Sequence, residues 1–144
     1  GANVAILSRT KSELEETASL AASNSKDDDC PSMSLHVADV TNVSEVEDTI
    51  ATILKKWGGI DILINNAGTS QKPKGTLETL SADDLRTLLD LNVVGVHIVI
   101  TSAVLRQSML PAKNGKIINI GSRQEKLDTP QIHITVRPNL HWRV

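Results

Sequence analysis

Four short apolar runs, at residues 4–7, 33–38, 60–64 and 116–120, each stop abruptly in polar or small residues, and three stretches of helical periodicity lie between them. This alternation constrains the chain more than any other feature. Strand and helix in repeated succession predict a parallel sheet with helices packed on it, an α/β doubly wound domain. The core must be aliphatic, because the 144 residues include two Trp, no Phe and no Tyr. Val, Ile, Leu and Ala suit strands buried on both faces.

The first helix is expected over 12–23, with Ser12 and Glu15 spaced as a capping box and Leu14, Ala18 and Ala21 on one face. The second, over 42–57, has the clearest period: Val43, Val46, Ile50, Ile53, Leu54 and Trp57 recur every three or four positions, and Gly58-Gly59 ends it. A third helical region is capped by Ser81 with Asp84 and carries Leu85, Leu88, Leu89, Val93 and Val96. It is expected to run to about Leu110, with Pro111 and Gly115 as terminators.

Several function classes are excluded early. A net charge of −2 without a basic stripe gives no reason to expect a nucleic-acid partner. A single cysteine, Cys30, rules out an internal disulfide and a Cys-based zinc cluster, so no metal site is predicted. It reads as an incidental loop thiol and fits a reducing, cytoplasmic setting. The longest unbroken apolar stretches, such as 93–100, are shorter than the ~20 residues of a bilayer span, so no membrane segment is predicted.

The strand ends carry the functional signal. Ser8-Arg9, Asp39-Val40, Asn65-Asn66-Ala67-Gly68 and Gly121-Ser122 follow the four runs in turn. In an open parallel sheet the carboxyl ends share one edge, and ligands bind in the crevice along it. Small-molecule chemistry at that edge is the favoured reading.

With these residues in place, the chain resembles the short-chain dehydrogenase/reductase family, Rossmann-fold oxidoreductases that use NAD or NADP. The resemblance rests on Asn65-Asn66-Ala67-Gly68 behind Ile60-Asp61-Ile62-Leu63-Ile64, on Asp39-Val40, on Leu91-Asn92-Val93 leading into Gly95, and on Ile118-Asn119-Ile120-Gly121-Ser122. It implies that Asp39 and Val40 lie beside an adenine, with Asp39 accepting from its exocyclic amine. Asn66, Ala67 and Gly68 would line the ribose and nicotinamide side, while Asp61 and Asn65 hold strand and turn together. Ser8 and Arg9 fall where the family selects its cofactor. A neutral residue followed by a guanidinium favours NADP over NAD, because the guanidinium can pair with a 2′-phosphate. Asn92 matches a helix asparagine that distorts its helix and relays protons through a water on its backbone carbonyl. Ser122 matches the serine whose hydroxyl holds the substrate oxygen, so these two are the catalytic candidates. A small carbonyl or alcohol substrate follows, and the helix carrying Asn92 would supply an oligomer contact. The sugar-nucleotide epimerase branch fits Asn65 to Gly68 less well.

The departures are equally informative. The family's general acid/base is a tyrosine with a lysine four residues later, and this sequence holds no tyrosine; His133 and His141 lack a matching context. The sequence opens at what resembles the family's second strand, without the glycine-rich phosphate loop. In the family order 3-2-1-4-5-6 the sheet is then an incomplete Rossmann-like sheet, with first and last strands missing and a gap between the strands at 4–7 and 60–64. Two unpaired hydrophobic edges predict poor folding in isolation. Residues 1–122 read as a partial dinucleotide-binding domain and 123–144 as an irregular tail. The expectation is a fragment of an NAD(P)-dependent oxidoreductase, inactive by itself. The alternative is a non-catalytic product acting by nucleotide binding or by oligomerising with an intact relative.

Overall fold

The computed structural model describes residues 2–24, 32–69 and 80–121. Strand β1, Val4–Ser8, leads into helix α1, Lys11–Asn24, and then into β2, Met33–Val37. Helix α2, Val43–Trp57, is followed by β3, Ile62–Asn65. A long helix, Ala82–Ala112, precedes β4, Lys116–Asn119. Element order and type therefore agree with the alternation in the sequence.

Strand pairing divides the described strands into two parallel pairs. β1 lies beside β2 with Ala5 opposite Ser34 and Leu7 opposite His36, and β3 lies beside β4 with Leu63 opposite Ile117 and Asn65 opposite Asn119. Among the described residues no strand joins the pairs, so the sheet is incomplete, as the family strand order predicts. Burial on both faces does not hold. Ile62, Ile64, Ile118 and Ile120 share one face of the β3–β4 pair and are 55%, 58%, 42% and 56% exposed. An apolar sequence states that a face prefers cover, whereas the cover itself is a tertiary matter.

The core lies between α2 and the long helix. Val46, Ile50 and Ile53 of α2 pack with Ile98, Val99, Val104 and Met109, and Val40, Leu54, Trp57, Ile60 and Leu63 close around them. Val46 and Val104 are wholly buried. Val43, expected on the same face, is exposed at the first turn. The α2 ends explain its sharp limits: Asn42 Oδ1 accepts from Ser44 N and Glu45 N, and Gly58, at φ 80, donates its N–H to the Leu54 carbonyl. A left-handed cap of this kind suits glycine. Ser108, buried on the long helix, accepts from Ile60 N at 2.7 Å and donates to the Ile60 carbonyl at 3.3 Å, which fixes the start of β3 against the helix.

Two helix boundaries differ from expectation. α1 begins at Lys11, with Leu14 N donating to the Thr10 carbonyl, so Ser12 lies inside the first turn. Just upstream, Ser8 Oγ accepts from Thr10 N in a turn that leads into the helix. The long helix passes through Pro111 and stops at Lys113, which adopts φ 50. Proline removes one N–H but keeps a helical φ, so the bonding resumes beyond it, with Lys113 N on the Leu110 carbonyl and Asn114 N on the Met109 carbonyl. At Ser81 the capping box with Asp84 is present in both directions.

The long helix alternates between ordinary winding and two wider stretches with i→i+5 bonding, Asp90–Gly95 and Val99–Met109. By length and composition it is apolar enough to cross a bilayer, which the count of unbroken apolar runs did not anticipate. Its Ile98, Val99, Val104 and Met109 are instead spent on the core with α2.

Candidate functional site

The described strand ends are linked by a chain of contacts around the amino-terminal half of the long helix. At the tip of β1, Arg9 Nη1 stands 3.6 Å from Asp39 Oδ2, which follows β2. Asp39 is firmly held: its Oδ1 accepts from Thr41 N at 2.9 Å and Thr41 Oγ1 at 2.7 Å, and its own N–H donates to Glu45 Oε2. Glu45 also accepts from Asn42 Nδ2. The hydrogen bonds from Thr41, backbone first and then side chain, hold the Asp39 carboxyl below the ordinary carboxylate range; burial opposes this and Arg9 assists it.

Val40 carries the contact onward. It presses on Gly95 so closely that a Cβ there would lie 3.0 Å from Val40 Cγ2 and 3.4 Å from the Val40 carbonyl. Gly95 is buried, and only the missing side chain lets the corner after β2 meet the helix.

One turn earlier on the helix, Asn92 grips the loop after β3. Its Oδ1 accepts from Thr69 N at 2.8 Å and its Nδ2 donates to the Thr69 carbonyl at 2.9 Å. Both ends of the amide are thus used on one backbone residue. Gly68, next to it, would place a Cβ 3.3 Å from Asn92 Oδ1. Asn92 lies within the wider Asp90–Gly95 turn, and such turns often occur at functional positions. Asn66, Ala67 and Gly68, in the clamped loop, are exposed.

Behind the loop, Asn65 is buried and its Nδ2 donates to Asn119 Oδ1 at 2.8 Å, with Ile120 N on the Asn65 carbonyl. This is a purely internal task, the one expected of Asn65. Arg9, Asp39, Val40, Gly68 and Asn92 are therefore joined through direct contacts, by way of Gly95 and Thr69. Ser8 stands beside them but turns to Thr10 N and, at 3.5 Å, to Glu13. Ser122, with His133 and His141, lies outside the described residues.

Three participants escaped the sequence reading. Thr41 had a readable signal, since Asp followed two residues later by Thr is a common side-chain-to-backbone turn. Glu45 had one too, three residues after the cap Asn42. Thr69 had none, because its backbone rather than its side chain is recognised.

The model of the short chain dehydrogenase family matches residues 1–134, and the chain belongs to that family. The match extends past Ser122, where the residue motifs stop. Gluconate 5-dehydrogenase of Gluconobacter oxydans is 44% identical over 96 residues, covering 67% of this chain and 36% of that protein. Among solved structures, a variant of actinorhodin polyketide ketoreductase with NADPH is 26% identical at a TM-score of 0.74, over 87% of this chain and 46% of that one. An NAD+-bound xylitol dehydrogenase is 31% identical at 0.69, over 82% of this chain and 42% of that one. The chain thus spans less than half the length of each of these relatives.

Proposed function

We propose that this chain contributes the adenosine and nicotinamide-ribose contacts of an NADP-preferring oxidoreductase that interconverts a carbonyl and an alcohol. The observation that carries the reading is the double hydrogen bond from Asn92 to Thr69. It ties the exposed Asn66-Ala67-Gly68 loop to a distorted helix turn, an arrangement useful for holding a ligand. The residues present fit the cofactor: Gly68 carries no side chain that would press on the Asn92 amide, Asp39 offers a fixed acceptor for an adenine amine beside Val40, and Arg9 supplies a cation for a 2′-phosphate. When bound, the nicotinamide would supply hydride transfer to or from the substrate carbon. Ser122 would then donate to the substrate oxygen, and Asn92 would hold a relay water on its backbone carbonyl.

The 144 residues contain no tyrosine to act as general acid, so the reading includes an inactive isolated chain. Measuring NADPH oxidation against a panel of aldehydes and ketones tests this. No turnover is expected, and turnover that Ser122→Ala abolishes would overturn the inactivity while supporting the site. The second reading, a non-catalytic product that binds nucleotide or associates with an intact relative through the helix carrying Asn92, is favoured by the exposure of Val93 and Val94 on that helix. Co-purification with a full-length relative, lost on Val93→Glu, would support it. A cytoplasmic location and a small-molecule substrate belong to the same proposal.

A further inference from the structure

Arg9 is the residue that favours NADP, yet it does not stand alone. Its guanidinium is paired with Asp39 at 3.6 Å, and its side chain is 68% exposed against 30% for Asp39. Glu45 accepts from the Asp39 N–H, and Glu13 lies at 3.5 Å from the neighbouring Ser8 Oγ. One described cation therefore meets an acidic corner, and the acidic member nearest to it is rigid. Asp39 is tied by two bonds from Thr41 and one to Glu45, whereas Arg9 reaches it on a long flexible stem. At 3.6 Å the contact is longer than a tight charge-assisted hydrogen bond, and it offsets the charge of the guanidinium.

We infer that Asp39 is a specificity-determining residue that offsets Arg9 and limits the preference for a 2′-phosphorylated nucleotide, leaving a site that accepts both forms of the cofactor. The inference rests on the reading of this edge as a dinucleotide site. A dianionic 2′-phosphate drawn to Arg9 meets the Asp39 carboxylate at short range, whereas a free 2′-hydroxyl meets no such repulsion. The opposing charge falls on one ligand only, which separates it from a structural role.

The test uses the whole 144-residue chain and two probes, adenosine 2′,5′-bisphosphate and 5′-AMP, titrated calorimetrically. The quantity read is the ratio of their affinities. Asp39→Asn keeps an Oδ1 acceptor for Thr41 and should raise the ratio by roughly three- to tenfold at low salt, the size of one exposed charge acting at short range. The gain should shrink as salt is added. Asp39→Glu should keep the original ratio, and Arg9→Gln, which leaves the Asp39 carboxylate unopposed, should bring it below one. Asp39→Ser makes the same charge change should Asp39→Asn precipitate. If removal of the charge leaves the ratio within twofold, or lowers both affinities together, Asp39 does not discriminate and the inference is overturned while the site survives. If neither probe binds the unsubstituted chain, the dinucleotide site itself fails and the inference with it.

Discussion

Replacing Asn92 separates a ligand clamp from an incidental polar residue on an apolar helix. Asn92→Ala removes two hydrogen bonds of 2.8 and 2.9 Å to the backbone of Thr69. A net contribution of about 0.5–1.5 kcal/mol per bond gives about 1–3 kcal/mol for the pair. Thr69 is exposed and water can take over its groups, so the lower part of that range, about 1–2 kcal/mol, is expected. This corresponds to a roughly 5- to 30-fold faster opening of the loop. Amide hydrogen exchange at Thr69, referenced to Ile53 in α2, reads the change directly. Asn92→Asp sharpens the test. It keeps an acceptor for Thr69 N but sets a second oxygen opposite the Thr69 carbonyl, where Nδ2 now donates at 2.9 Å. At neutral pH the aspartate variant should exchange at least as fast as the alanine variant, despite its near-identical shape. Wild-type protection in either variant would refute the clamp.

Three further outcomes follow from the packing and charge. Gly95→Ala sets a gain of about 1 kcal/mol in helix propensity against overpacking of about 1–3 kcal/mol on Val40, so net destabilisation by urea is expected, reversing to stabilisation in the Val40→Ala background. Ile50→Ala should cost about 2–5 kcal/mol because Ile50 lies in the core, whereas Val43→Ala, on the same helix but exposed, should change stability by about 0.5 kcal/mol or less; equal effects would contradict the described face of α2. Asp39 has its folded-state pKa lowered by Thr41, so the stability it adds is present above the unfolded carboxylate pKa and is lost as pH falls through the lower folded value. An acid titration below about pH 4 should therefore be shallower for Asp39→Asn than for the unsubstituted chain, and superimposable curves would show that Asp39 gains nothing on folding.

Local order was readable because its causes are local. The period of Val46, Ile50 and Ile53, the Gly58 stop and the Ser81–Asp84 box act within a few residues, and all appear as expected. The Ser12 cap failed because α1 already begins at Lys11, with the Thr10 carbonyl accepting from Leu14 N. The long helix ends at Ala112, two residues past the expected Leu110 and before Gly115, because proline keeps a helical φ and costs only one N–H.

The sequence by itself determined the order of strands and helices, the aliphatic character of the core and the polar strand ends. Together with the family strand order it also predicted that, among the described residues, the two strand pairs are not joined. Only the tertiary structure decided that Arg9 meets Asp39, that Val40 seats on Gly95, and that Asn92 spends its whole amide on the backbone of Thr69. These pairs are 23 to 55 positions apart in sequence. No periodicity or cap encodes such a meeting, which arises when hydrophobic burial brings α2 and the long helix together and leaves the polar groups at the sheet edge to find the partners within reach.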